Sequence, residues 1–131
     1  MKLLLPFHLQ KAGAGFPSPA TDYVEEDIDL NIHLIKNAPA TFIIRVQGKS
    51  MSSIGIYDED LLIVDKSLRP KNFSTVIANV NDDLVVKTFI KEKDLKFLSS
   101  GSRSLQDKIL LDPNSDIFIW GVVTYVIHSL H

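Results

Sequence analysis

The stretch VIANVNDDLVVKTFI, residues 76–90, decides the fold class. Two runs rich in Val, Ile and Phe, 76–80 and 84–90, flank Asn-Asp-Asp at 81–83. β-branched and aromatic side chains suit a pleated, half-buried surface. Asn and Asp tolerate the left-handed backbone that a two-residue connection between antiparallel strands requires. The spacing therefore predicts a tight β-hairpin. Leu84-Val85-Val86 is apolar on both faces of such a strand, so the hairpin is expected to be covered on two sides.

Working outward, residues 42–46, 61–64 and 117–127 carry the same Val, Ile and Phe enrichment between polar turns. Leu61-Leu62-Ile63-Val64 again leaves no polar face. The expected fold is mainly β, a folded-over sheet or small barrel-like domain with at most one or two short helices. One of these is expected in VEEDIDLNIHLIKN, residues 24–37, with Asp29 as N-cap and Ile28, Ile32 and Ile35 on one side. Residues 99–116 are polar and turn-rich. KAGAGFPSPATD, within residues 1–22, is rich in Gly, Ala, Pro and Ser, which sustain neither a helix nor a central strand. The expected organisation is a mobile N-terminal arm, 1–22, followed by one domain, 23–131.

The chain has 131 residues, enough for a single apolar core, with 45% hydrophobic and 23% charged residues. Fourteen Lys+Arg against sixteen Asp+Glu leave a net charge of -2, which supplies no global basic field for phosphate backbones. Direct sequence-specific DNA binding is therefore not expected. The absence of cysteine excludes disulfides, thiol catalysis and Cys-ligated zinc, and accords with a reducing cytoplasm. The apolar run LLLPF is broken by Pro6 and is too short for a secretory or membrane-spanning segment, so no membrane association is expected.

Between two of the β runs stands GKSM, Gly48 to Met51. A turn that only reversed the chain would favour Gly, Asn, Asp or Pro throughout. Ser50 is either a hydrogen-bonding turn residue or a nucleophile. None of the four histidines, at 8, 33, 128 and 131, lies near it in sequence, and no metal-ligand spacing or cofactor motif occurs. His33 and His128 read as solvated or packed side chains. A serine without histidine needs another base, which a lysine can supply when an apolar environment disfavours its ammonium form. Most lysines sit among charges or in turns. Lys87 is different: strand alternation puts it on one face with Val85 and Phe89, with Leu84, Val86, Thr88 and Ile90 on the other. It is either a buried general base or an edge-strand lysine that blocks aggregation. Gly48 permits close backbone approach, and backbone N–H groups of Gly48, Lys49 and Met51 are candidates for oxyanion or turn support. The 37 positions between Ser50 and Lys87 (87 − 50) leave their meeting to the fold.

AGFPSPATDYVEEDIDLN, GKSM, GIYDEDLLIVD, LVVKTF and WGVVTYVI occur in the order seen in UmuD-like proteins, and over most of the chain the sequence resembles the LexA/UmuD self-cleaving serine peptidases (peptidase S24). The resemblance implies a Ser-Lys dyad with Ser50 as nucleophile and Lys87 as general base. It also implies a scissile bond between Ala14 and Gly15, in letters that otherwise read as a flexible linker. About 35 residues (50 − 15) at roughly 3.3 Å each give ample reach for cleavage in cis or across a dimer. By the same resemblance, 23–131 is a peptidase and dimerisation domain of a bacterial cytoplasmic SOS-response protein. Its expected partners are a second copy, the RecA filament on single-stranded DNA, and a UmuC-like Y-family polymerase subunit used in translesion synthesis. Alternatives are a non-catalytic dimeric binding module for a polymerase or the filament, and a regulatory domain of phage or repressor type. The chain departs from the family pattern in its short segment before Ala14, in Lys49 beside the nucleophile, and in Glu59, which stands in IYDED where the family has glycine.

Overall fold

A computed structural model describes residues 3–8, 25–48, 51–101 and 107–131. The chain forms two compact units, Met1–Lys36 and Asn37–His131.

In the first unit, β1 (Leu5–His8) pairs antiparallel with β2 (Glu25–Ile28), from Leu5 opposite Ile28 to His8 opposite Glu25. A single helical turn, α1 (Leu30–Leu34), follows at the place the sequence indicates. The Asp29 carboxylate accepts the Asn31 N–H at 3.0 Å, satisfying one of the donors that a helix start leaves without a partner. The turn stops at Ile35, which is extended. Of the segment 1–22, expected as an arm, residues 3–8 are described and include β1, the rest lies outside the described residues, and the first unit ends at Lys36. No local pattern announces that strand, because Pro6 interrupts its apolar run and its partner lies about twenty residues away.

The second unit is one seven-stranded sheet. Its strands are β3 (Thr41–Arg45), β4 (Leu61–Asp65), β5 (Thr75–Val80), β6 (Asp83–Glu92), β7 (Leu95–Ser99), β8 (Ile109–Leu110) and β9 (Phe118–Ile127). They lie in the order β3-β4-β9-β5-β6-β7-β8, and all neighbours are antiparallel. The sheet is open, with β3 and β8 as its edges, so the mainly β expectation holds while the barrel-like form does not, because the sheet does not close. The hairpin expected around 81–83 joins β5 to β6 through Asn81 (φ 53°) and Asp82 (φ 69°). Two consecutive left-handed residues match the twist of the flanking strands.

Apolar residues cover both faces of the sheet. Leu62 and Val64 of β4, Ile77 of β5 and the adjoining Val46, Met51 and Ile56 form one cluster, which Val86, Trp120 and Val123 join from its margin. Val76 and Ala78, Phe89, Leu98 and Val122 form the second on the opposite face, with Val85 and Ile119 at its margin. Neighbours in sequence thus serve different clusters, as Val85 and Val86 do. Each fully buried Val, Leu or Ile contributes roughly 1.5–3 kcal/mol relative to exposure. The pairing register of β9 shifts once against β4, between Ile63 and Val64, and once against β5, between Ile77 and Ala78. Such bulges bend a strand and increase its twist. At the bend β9 passes so close to β4 that a Cβ on Gly121 would lie 2.6 Å from Val64 Cγ1.

Candidate active site

Lys87 lies in the first half of β6, opposite Val76 of β5, and is half-buried. β6 runs between β5 and β7. It is an interior strand, which removes the reading of Lys87 as an edge-strand guard. The alternation read from the sequence holds, since Val85 and Phe89 serve one apolar cluster and Val86 the other.

Beside Lys87 opens a cleft of about 310 Å³. One wall is the start of β6, Leu84 to Lys87, with Ile77 of β5; the other is the chain leaving β3, from Ile44 through Gln47 and Gly48, with Met51. Gly48 and Met51 are the described residues that bracket positions 49 and 50. Lys49 and Ser50 themselves lie outside the described residues, as do Ala14 and Gly15. The lining residues that carry charge, Lys87 and Arg45, are both cationic. Arg45 is neutralised by Glu59, with Nη1 3.5 Å from Oε2 and 3.1 Å from the Glu59 carbonyl oxygen. Among the described residues Lys87 has no ion pair, and no histidine is among the described residues that line the cleft.

Both brackets are firmly held. Gly48 has φ 103°, a left-handed conformation in which glycine carries no Cβ penalty, and open space surrounds its Cα. Its N–H donates to Asp58 Oδ1 at 2.8 Å. Of the oxyanion and turn roles open to Gly48, its N–H therefore serves the turn. Met51 is 2% exposed and embedded in the first apolar cluster; its carbonyl oxygen accepts the Ile54 N–H at 3.1 Å and the Ile56 N–H at 3.3 Å. A single 3-10 turn over Ser52–Ile54 follows and ends on Gly55 at φ 85°.

The segment 57–60 braces the wall that carries Gly48. Val46 N–H donates to the Asp60 carbonyl oxygen at 2.7 Å, and Glu59 N–H to that of Val46 at 2.8 Å. Glu59 has φ 71°, so this glutamate takes the backbone conformation natural to the glycine expected there, and its side chain meets Arg45. Beneath it Asp60 is buried; its Oδ2 accepts the Tyr57 N–H at 2.9 Å, and its Oδ1 lies 2.5 Å from His128 Nδ1. The Tyr57 backbone N–H, and then His128, hold the Asp60 carboxyl below its ordinary range against the opposing effect of burial. The Tyr57 and His128 rings stand 5.4 Å apart, so the end of β9 is tied to this turn. His128 is therefore paired with Asp60 and set against Tyr57, while remaining exposed. Sixty-eight positions separate it from Asp60 (128 − 60), and no sequence pattern links them.

Among the described residues, no group of three His, Cys, Asp or Glu could hold a metal ion, and no helix is long and apolar enough to cross a membrane.

Comparison with known proteins gives a match to the family model described as Peptidase S24-like over residues 6–124. The chain is similar to Protein ImpA of Salmonella typhimurium, 40% identical over 123 residues that make up 94% of this chain and 83% of that protein. It is similar to Protein MucA of Escherichia coli, 35% identical over 126 residues, 96% of this chain and 84% of the other. It is also 37% identical over 120 residues to the LexA repressor of Glaesserella parasuis serovar 5, covering 91% of this chain but 56% of the repressor.

Proposed function

The chain belongs to the Peptidase S24-like family, a serine peptidase kind, and from that we propose that it is a Ser-Lys dyad peptidase whose substrate is its own N-terminal segment. The observation that carries the reading is the cleft that Lys87 shares with Gly48 and Met51. In the sequence, positions 49 and 50 fall between Gly48 and Met51, which supports Ser50 as the serine that would serve this cleft. Interior placement of Lys87 and the absence of histidine among the described lining residues support a lysine base over a triad.

In this mechanism the neutral Lys87 amine takes the Ser50 hydroxyl proton as Oγ attacks the carbonyl carbon of Ala14. Collapse of the tetrahedral intermediate breaks the Ala14–Gly15 bond, and the Lys87 ammonium returns a proton to the departing Gly15 amine. Water, deprotonated by Lys87, then attacks the Ser50 ester and releases the Ala14 carboxylate. Small residues at 14 and 15 allow the scissile segment to lie extended in a narrow cleft. Similarity to ImpA and MucA, with the UmuD-like motifs, supports a role in the SOS response of a bacterial cytoplasm. There the RecA filament on single-stranded DNA would stimulate cleavage, and the processed homodimer would serve a Y-family translesion polymerase.

The test is intact-mass spectrometry of the purified chain incubated at neutral and alkaline pH, alone and with RecA-coated single-stranded DNA, beside Ser50→Ala and Lys87→Ala. The expected result is a species beginning at Gly15 in the wild type and in neither variant. The partner-free rate should rise with pH as the neutral fraction of an amine grows. An intact wild-type chain under every condition would overturn the peptidase reading and leave a binding module.

A further inference from the structure

A second concavity of about 690 Å³ lies elsewhere in the sheet unit and shares no lining residue with the Lys87 cleft. Its apolar lining includes Phe89, Leu111, Ile117 and Ile119, which belong to the second apolar cluster or its margin, together with the exposed Phe118. Around that surface stand four cations on two separate elements. Arg69 and Lys71 project from the loop between β4 and β5, and Lys91 and Lys96 from the β6–β7 hairpin.

The arrangement of Lys91 and Lys96 is the informative part. They are direct cross-strand partners, so both side chains leave the same face of the hairpin. Like charges placed directly opposite each other destabilise a strand pair. Among the described residues none of the four cations has an ion pair. Glu92, the carboxylate next along β6, is engaged by Lys108 at 3.2 Å. Asp112, the carboxylate in the lining, accepts the Asn114 N–H at 2.9 Å within its own turn. In a chain of net charge -2, four cations gathered around an apolar floor beside one lining carboxylate, and none of them ion-paired among the described residues, form a local exception.

The walls are also fixed in advance. Asn72 Oδ1 accepts the Lys91 N–H at 2.8 Å, and Phe73 N–H donates to the Phe89 carbonyl oxygen at 2.7 Å, so the basic loop is fastened to β6. On the other side Leu111 N–H donates to the Lys96 carbonyl oxygen at 2.8 Å. A fixed cleft reduces the ordering that binding requires.

We propose that this groove is a docking site for an acidic peptide segment of a partner protein, two or more carboxylates meeting the Lys91–Lys96 and Arg69–Lys71 pairs while one apolar side chain rests on the Phe89–Leu111–Ile119 floor. The floor favours a peptide over nucleic acid, because it accepts hydrocarbon. Four cations are also few beside the six to ten phosphate contacts that make backbone binding strong.

The test uses the full chain as Ser50→Ala, so that no cleavage can intervene, and fluorescence anisotropy of a labelled peptide, EEDFDE. Controls are the same peptide with every acid replaced by its amide, EEDADE, and a labelled ten-nucleotide oligothymidylate. The acidic aromatic peptide should bind, and the amide and alanine versions should each bind at least about tenfold more weakly. Lys91→Glu with Lys96→Glu should reduce peptide binding by a similar factor. The same two substitutions in the wild-type background should leave self-cleavage unchanged, which separates this site from the peptidase. Lys96→Glu alone converts a repulsive cross-strand pair to an attractive one and should raise Tm by about 2–4 °C. Equal binding of the amide peptide, binding that survives the double charge reversal, tighter binding of the oligothymidylate, or a fall in Tm for Lys96→Glu would each overturn the proposal.

Discussion

Replacing Asp58 by alanine tests whether the turn bonded to Gly48 sets the rate of the proposed self-cleavage. Asp58 Oδ1 accepts the Gly48 N–H at 2.8 Å, one residue short of the stretch 49–50, and Gly48 is held at φ 103°. A hydrogen bond to a charged group has a net worth of about 1.5–3 kcal/mol. Asp58 is exposed, which brings the value toward about 1 kcal/mol. If that anchoring is spent on the productive geometry of the proposed nucleophile segment, losing it raises the barrier by the same amount and slows the proposed cleavage about fivefold. Asp58→Asn keeps an acceptor oxygen and should stay within about twofold of wild type. The assay is the rate of appearance of the fragment beginning at Gly15, by intact mass at alkaline pH without partners, with Tm recorded for each variant. An Asp58→Ala rate equal to wild type would refute the reasoning. Asp58→Asn falling as far as alanine would refute the hydrogen-bond explanation and leave charge as the cause.

Gly121→Ala should cost about 1–3 kcal/mol, because its Cβ would meet Val64 Cγ1 at 2.6 Å inside a close-packed core; adding Val64→Ala should recover part of the loss in a double-mutant cycle by urea unfolding. Thr88 Oγ1 is buried with no hydrogen-bond partner among the described residues, so Thr88→Val should raise stability by about 1 kcal/mol, seen as a higher urea midpoint at unchanged slope. The Asp60 carboxyl, held low in the folded state, contributes stability that is present above its unfolded value of about 3.9 and is lost as pH falls through the lower folded value. Asp60→Asn should therefore be less stable than wild type at pH 6, and the difference should shrink as pH falls below about 4, as followed by thermal melts.

The strands that the sequence announces are those with their own apolar density: β3, β4, β5, β6 and β9 each appear within one or two residues of the expected runs. The hairpin between β5 and β6 is readable because Asn81 and Asp82 satisfy a local backbone demand. β7, LKFLS, escapes such reading because polar and charged residues dilute it and its partners supply the reason for its strand state. β8 has two residues and forms only against β7. At the candidate site, Lys87 is legible as a lysine in an apolar strand, and Gly48 as a glycine where no simple reversal is needed. The bracing is not legible. Asp58 and Asp60 look like ordinary turn residues until the chain folds, and His128 joins them from the far end of β9. Nor does the opposition of Lys91 and Lys96 show in the letters, since it depends on a hairpin whose second strand is itself unmarked.

The two-residue connection at Asn81-Asp82 carries an implication for how this protein can change. Lys87 stands five positions beyond Asp82 on a strand whose side chains alternate faces, with its pairing fixed opposite Val76. Inserting or deleting one residue in the connection can be absorbed as a bulge, or it can slip the whole strand by one place; the slip would exchange Lys87 with an apolar neighbour. Substitutions at 81 and 82 that accept a left-handed backbone leave that count untouched. Length at this corner is therefore a stricter inheritance than composition, and variants that lengthen the connection one residue at a time should lose and regain lysine placement alternately.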